Sequence, residues 1–228
     1  MRKNKMMRLA SALLVAVLLT TSVISGTYAK YVTEEGGSDF ARVAKWGVEV
    51  EAESFDMFTD TYAVEDDEAK FEGSYSVDSN NGDDVLAPGT SGSFANIAIT
   101  GTPEVAVDVD IDATVTVSDN WIVDGDFYCP IVVTVGTEEI NGLGFTKAED
   151  FANAIKDEIE GKSAQYAPNK DLGTLYSTTN LDLAWAWAFE GAEGSGQTDI
   201  KDTKLGNVAV AEDLEISIGL KISVTQID

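Results

Sequence analysis

Carboxylates are the most abundant ionisable side chains in this sequence. The 228 residues include 40 Asp and Glu, 15 Lys and Arg, one Cys and no His. The absence of His excludes Ser-His-Asp and Cys-His catalysis and every His-based zinc site. Paired carboxylates could hydrolyse a glycosidic bond, but in so acidic a chain such pairs arise without any function. We therefore expect a protein that is not an enzyme, with a carboxylate hydrolase as the remaining catalytic alternative.

Three of the carboxylates recur at every second position of a predicted strand, at Asp108, Asp110 and Asp112. The rise of a strand places neighbours in this row about 7 Å apart on one face. Such a row could bind a cation, and it also keeps an exposed β-surface from associating with other sheets. We favour a solvated face and expect no cofactor, with calcium in a non-catalytic role on these residues as the alternative.

The single cysteine, Cys129, cannot form an intramolecular disulfide, and it lies between Tyr128 and Pro130. We predict a partly buried structural thiol at this position, with an intermolecular disulfide as the alternative. Trp121 and Tyr128 fall in a predicted loop. They are therefore the best candidates in this sequence for aromatic side chains that stack on a carbohydrate.

The first 29 residues have the three-part pattern of a secretory signal peptide. A basic start leads into an uncharged apolar run over residues 9–24, and Thr27 and Ala29 offer small side chains where a signal peptidase reads. The apolar run is shorter than the roughly 20 residues that span a bilayer, so an uncleaved anchor is the less favoured alternative. We predict cleavage between Ala29 and Lys30 and secretion to the extracellular matrix or cell surface, with no membrane association afterwards.

The charge of the processed chain bears on its partners. Cleavage would remove four basic residues and no acidic ones, so the net charge would fall from −25 to about −29, which repels nucleic acid and anionic membranes. We therefore expect no nucleic-acid partner.

Alternating apolar and polar residues predict an all-β fold for residues 40–228. The clearest strands cover residues 105–118, 183–189 and 214–225, and further strands are predicted over 40–51, 93–100 and 131–135. Strands with one apolar and one polar face are typical of antiparallel sheets with one solvated side. Together with turn-rich joints, the pattern predicts an antiparallel β-sandwich with one or a few short helices, and a jelly roll in particular.

One helix is predicted, over residues 146–160, and residues 161–180 are predicted to form a polar loop. Thr146 and Glu149 have the spacing of a capping box, and Gly161 is a typical stop. The helix would pack through an apolar stripe at Phe151, Ile155 and Ile159.

Several short motifs resemble the TasA/camelysin family of secreted proteins. Residues 26–29 (Gly-Thr-Tyr-Ala) close the apolar run as in that family's signal peptides, and Phe40 and Ala41 lead into the first predicted strand. Residues 86–89 (Leu-Ala-Pro-Gly) match the family's L-x-P-G turn before a strand near Phe94, and Pro-Gly is typical of a type II turn. The resemblance does not extend over residues 123–197.

The resemblance implies a jelly-roll subunit of Gram-positive biofilm matrix fibres, processed by a SipW-type signal peptidase, with accessory matrix proteins as further partners. It also implies that an N-terminal segment completes the sheet of the neighbouring subunit, so that copies join head to tail. Some relatives carry a metallopeptidase label, which the absence of His does not support for this chain.

We therefore predict a signal peptide over residues 1–29, a donor segment over 30–39 and a β-sandwich domain over 40–228. An extended peptide can add to an open sheet edge, and a contact that does not close on itself produces filaments. The alternatives are a frayed terminus without a role and, for function, a monomeric surface or matrix module that binds carbohydrate or protein. The predicted donor strand and its glycine hinge are Lys30, Tyr31, Val32, Thr33, Gly36 and Gly37.

Overall fold

A computed structural model describes residues 41–52, 57–63, 75–94, 97–175, 181–188, 197–209 and 214–227. The chain divides into two compact units, Met1–Arg42 and Val43–Asp228. Apart from residues 41 and 42, all described residues belong to the second unit. No helix within these described ranges is long and apolar enough to cross a membrane.

The described residues are mostly β-structure, which confirms the all-β class. The strands are β1 (Glu49–Ala52), β2 (Thr61–Ala63), β3 (Tyr75–Asp78), β4 (Ser91–Phe94), β5 (Ile97–Thr100), β6 (Val107–Val117), β7 (Ile122–Val123), β8 (Asp126–Phe127), β9 (Ile131–Val135), β10 (Glu138–Asn141), β11 (Ala164–Tyr166), β12 (Leu183–Trp187) and β13 (Ile216–Gln226). The helices are α1 (Ala148–Glu160), α2 (Leu172–Leu175) and α3 (Gln197–Val208), with a 3₁₀ turn over Gly142–Gly144.

Two antiparallel sheets carry most of the core. One has the strand order β10-β9-β12-β4 and the other the order β11-β6-β13, and three further pairs join β1 to β5, β2 to β3 and β7 to β8. Ile131 and Val133 from the first sheet and Val109 and Ile111 from the second belong to one buried hydrophobic cluster. The two sheets therefore form a sandwich-like antiparallel arrangement, and jelly-roll connectivity stays a prediction.

Period-two alternation is the physical reason that the long strands form. On β6 the apolar residues from Val107 to Ala113 are buried, whereas Asp110 and Asp112 on the other face are exposed. On β12, Trp185 and its two apolar neighbours of the same parity are buried. On β13, Ile216 and Ile218 are buried and the apolar residues at 220, 222 and 224 are half-buried, whereas Lys221 and Thr225 are exposed. The predicted alternation of these three long strands is confirmed.

Helix α1 packs mainly against β6 and also contacts β9 and β10. Its predicted apolar stripe, Phe151, Ile155 and Ile159, is fully buried, and burying each such side chain contributes about 1.5–3 kcal/mol. The predicted capping box is wrong, because the helix begins at Ala148 and its N-cap is Lys147, not Thr146, with no side-chain cap hydrogen bond. The helix ends at Gly161, as predicted.

The first predicted strand starts later than expected. Residues 41–48 have no regular structure, β1 begins at Glu49, and the apolar side chains of Trp46 and Val50, which alternation would place on one buried face, are exposed. Gly47, two residues before β1, adopts a left-handed φ of 55°, which interrupts extended backbone at that point. The Lys45 N–H donates a hydrogen bond to the Glu104 carboxylate, and the Lys45 carbonyl accepts one from the Glu104 N–H.

Further predictions are wrong or lie outside the described residues. The expected loop over residues 161–180 contains β11 and α2, and α3 is a further helix that the sequence pattern did not predict. The predicted strand over 93–100 is described as two strands, β4 and β5. Phe40, the signal peptide and the whole donor segment lie outside the described ranges.

Candidate functional site: a cleft at the start of β13

A cleft of about 910 Å³ lies between the loop over residues 81–88, helix α3 and the first residues of β13. The aromatic side chains Phe58, Trp121 and Trp187 line it. The rings of Trp121 and Trp187 lie 6.2 Å apart between centroids. The first residues of the long strand β13 therefore line the same cleft as these aromatic side chains.

One wall of the cleft is the Leu-Ala-Pro-Gly turn over residues 86–89. Gly89 has a φ of 83°, and the Thr90 N–H donates to the Ala87 carbonyl at 3.1 Å, as the predicted type II turn requires. The buried Thr90 hydroxyl donates to that carbonyl at 2.7 Å and accepts from the Ala87 N–H. The Gly89 N–H donates to the Trp187 carbonyl at 2.8 Å, so the turn is fastened to β12.

A second contact fixes the same wall to β2. The hydroxyl of Tyr62 donates to the Val85 carbonyl at 2.8 Å, and the Val85 N–H donates to the Thr59 carbonyl. Burial, together with the nearby negative charge of Asp84, raises the pKa of Tyr62, so its hydroxyl stays a donor. This wall is therefore held in place before any ligand arrives.

The opposite wall is helix α3, which turns a carboxylate inward. Asp202 is only 8 % exposed, and its two oxygens accept hydrogen bonds from the Tyr128 hydroxyl at 2.7 Å and from Trp187 Nε1 at 3.3 Å. Burial first, and then the hydrogen bond to Asp202, raise the pKa of Tyr128. Lys201 Nζ lies 5.1 Å from the centre of the Tyr128 ring, within the range of a cation–π contact.

The cleft is negatively charged. Four carboxylates line it, from Asp83, Asp84, Asp202 and Glu215, and among the described residues no Lys or Arg does. A cleft lined by one sign of charge concentrates ligands of the opposite sign. The arrangement suits a cationic group attached to an apolar or aromatic body.

One edge of the strand that begins at the cleft has no partner strand among the described residues. Within the described part of the chain, β6 is the only strand paired with β13. At the two ends of the ladder, the Ser118 N–H donates to the Glu215 carbonyl and the Ile227 N–H donates to the Ala106 carbonyl. The odd-numbered residues of β13 therefore direct their backbone N–H and C=O groups toward β6. The even-numbered residues from 216 to 226 therefore direct their N–H and C=O groups to the outer edge.

The edge of β6 that faces away from β13 has hydrogen-bond partners. It pairs with β11 at residues 107–109, and beyond that the Ile111 and Ala113 N–H groups donate to the side chains of Ser163 and Glu160. The loop after α1 and the helix end thus cover this edge. The described residues give the edge of β13 no such cover.

The predicted metal residues stay on the outer face of β6. Asp110 and Asp112 are exposed, and Asp108 accepts a hydrogen bond from Gln165 Nε2 at 3.3 Å. Over the described ranges, no group of three or more His, Cys, Asp or Glu is placed to hold a metal ion. The predicted cleavage and donor residues lie outside these ranges.

The prediction that Trp121 and Tyr128 stack on a carbohydrate is wrong in its geometry. Both side chains are buried. Internal partners offset the cost of burying their polar atoms: Trp121 Nε1 donates to the Glu215 carbonyl, and the Tyr128 hydroxyl donates to Asp202. Cys129 is fully buried rather than partly buried as predicted, so its sulfur is not accessible to a second chain. Burial raises its pKa to about 12.

Asp202 is the cleft residue that the sequence did not indicate. It lies on a helix whose only buried residues in the described part are Asp202 and Leu205, so no apolar stripe predicts the helix. In the sequence, Asp202 is one of 40 acidic residues, and no local pattern distinguishes it from the others.

Comparisons with protein-family models, with curated proteins and with solved structures find no match. The resemblance to the TasA/camelysin family accordingly rests on the short motifs of residues 26–29, 40–41 and 86–89. Support for a function must come from the open edge of β13 and the cleft at its start.

Proposed function

We propose that this protein is a secreted structural subunit that polymerises into extracellular matrix fibres. Each copy would add the segment that begins at Lys30 to a sheet edge of the next copy. The observation that carries the proposal is the outer edge of β13, an 11-residue strand paired on one side only within the described residues. Such an edge presents a row of unpaired N–H and C=O groups to another chain.

Apart from Lys221, the residues of β13 itself include none of the features that commonly protect an edge strand. Natural edge strands are often short or carry several charges, a proline or a bulge. This strand contains one charged residue, Lys221, and no proline, and its pairing with β6 is continuous over all 11 residues. At roughly 3.4 Å per residue, it offers a long template for an added strand.

The segment over residues 30–33 has the residue types of a donor. Tyr31, Val32 and Thr33 favour extended backbone, and Gly36 and Gly37 would let the segment leave its own subunit. While joined to the signal peptide the segment would be held at the membrane, so cleavage after Ala29 would couple export to assembly. A head-to-tail contact of this kind extends into a filament.

Charge should control the assembly. Subunits with a net charge near −29 repel one another, and salt screens this repulsion. Because the chain has no His, only carboxylates can take up protons on mild acidification. We expect assembly to be promoted by salt, by acid and by divalent cations.

The edge is tested with a matched pair of variants at Leu220, an even-numbered and half-buried residue of β13. Leu220→Pro removes an outward N–H without removing a bond to β6, whereas Leu220→Ala loses at least as much apolar contact and keeps that N–H. With both variants shown to be folded by circular dichroism, we expect Leu220→Ala to form fibres in the electron microscope and Leu220→Pro to form few or none. Equal assembly would rule out β13 as the acceptor, and monomeric behaviour of the unmodified chain under every condition would favour a binding module.

A further inference from the structure

We propose that the cleft at the start of β13 binds the positively charged beginning of a second copy's donor segment, its α-amino group and Lys30. This inference rests on the proposed function and names the partner surface for it. The occupant is residues 30–33 of another copy of this chain.

Charge complementarity supports this occupant. Cleavage between Ala29 and Lys30 would leave two cations on one residue, the new α-amino group and the Lys30 side chain. From there to Ala41 the sequence contains no other basic residue and three acidic ones, Glu34, Glu35 and Asp39. Only the first residue of the segment is therefore attracted to a cleft lined by four carboxylates, and the acidic part is repelled from it.

The apolar lining supports the second residue of the segment. Phe58, Leu86 and Pro88 line the cleft and are half-buried, so each keeps apolar surface that a ligand can cover. The ring of Tyr31 beside Lys30 would bury this surface. Hydrogen bonds hold the loop that carries Leu86 and Pro88 to β2 and β12, so little ordering is needed on binding.

The position of the cleft sets the direction of the added strand. Ile216 and Ser217, at the beginning of β13, line the cleft. A segment whose first residue lies in the cleft, and which continues along the open edge, runs in the same direction as β13. The inference thus specifies parallel pairing of the donor with β13.

Zero-length cross-linking locates the first residue of the donor. Fibres are grown from a mixture of ¹⁵N-labelled and unlabelled chains that begin at Lys30. A carbodiimide then joins amines to carboxylates in contact, and mass spectrometry identifies the joined peptides. We expect mixed-isotope products that link residue 30 to Asp83 or Asp84. Products that link residue 30 mainly to Asp110 or Asp112, or only within one chain, would overturn the inference.

Charge variants provide the second arm. The double variant D83N/D84N removes two exposed carboxylates of the cleft, and D110N/D112N removes two exposed carboxylates from the outer face of β6, so both change the net charge equally. We expect the first to raise the critical concentration for assembly roughly tenfold relative to the second, because it loses charge contacts with the donor.

The outcomes separate the two proposals. Equal critical concentrations for the two double variants, with fibres present, would overturn the cleft inference and leave the fibre proposal intact. Absence of fibres from the unmodified chain that begins at Lys30, in every condition of salt and pH, would overturn both.

Discussion

The hydroxyl of Tyr128 donates a 2.7 Å hydrogen bond to Oδ1 of Asp202, 74 residues later in the chain. Both side chains are buried, and Trp187 Nε1 donates to the other carboxylate oxygen. A buried carboxylate costs free energy unless donors compensate it, and these two donors do so. The contact fastens α3, which has no apolar stripe, to the rest of the core.

Removing this carboxylate should destabilise the fold. Asp202→Ala would leave the Tyr128 hydroxyl and the Trp187 N–H buried without an acceptor, so we expect the free energy of unfolding to fall by about 1–3 kcal/mol. The control is Asp199→Ala on the same helix, where the side chain is exposed and the loss should be a few tenths of a kcal/mol. Urea denaturation measures both, and equal losses would contradict the stabilising contribution assigned to the buried hydrogen bonds of Asp202.

Gly92 should not tolerate a side chain. Trp185 Nε1 donates to the Met57 carbonyl at 2.8 Å, and a Cβ on Gly92 would overlap that carbonyl oxygen and press on the indole ring. We expect Gly92→Ala to reduce the free energy of unfolding by about 1–3 kcal/mol or more through overpacking.

The matched control for Gly92 is Gly144→Ala. A Cβ there meets no atom within 4 Å, and Gly144 has no left-handed φ. Its change in the free energy of unfolding should stay within about 0.5 kcal/mol. Thermal melting of the two variants compares their stabilities. A Gly92→Ala variant as stable as Gly144→Ala would contradict the packing described for Trp185.

Strand and helix periodicity made most of the regular core predictable. The alternation on β6, β12 and β13 and the stripe on α1 each report a single buried face, so local sequence is sufficient. The environments of Trp121 and Tyr128 could not be predicted in this way. Their hydrogen-bond acceptors lie 94 and 74 residues away, and no local pattern indicates such partners.

Local sequence patterns did not predict the cleft either. The turn over residues 86–89 was predicted, because Pro and Gly fit the two central positions of a type II turn. Its neighbours in the cleft, α3 and the start of β13, come from the last third of the chain. Only the tertiary fold brings Asp83 and Asp202 to one surface.

Alkaline pH should destabilise the protein through Cys129. Burial raises the pKa of its thiol from 9.0 to about 12, so the folded state holds the proton more tightly than the unfolded state. The stabilising effect is complete below pH 9 and is lost as the pH rises from there toward 12. We expect a loss on the order of 1 kcal/mol between about pH 8 and pH 10 from this group.

The control for this prediction is Cys129→Ala, which lacks the thiol. Tyr62 and Tyr128 also have raised pKa values, so some alkaline loss should remain in the variant. Denaturation curves at the two pH values, for both proteins, measure the difference. An identical pH dependence would contradict the assignment to Cys129, as would rapid reaction of the native thiol with an alkylating reagent at neutral pH.

The most direct test of the account compares two chains in the electron microscope, one that begins at Lys30 and one that begins at Phe40. Circular dichroism and the melting temperature first establish that both are folded. We predict that the chain from Lys30 forms fibres and that the chain from Phe40 stays monomeric, because only the first carries the donor strand. The same fibres from both chains, or fibres from neither, would contradict assembly through the processed N-terminus.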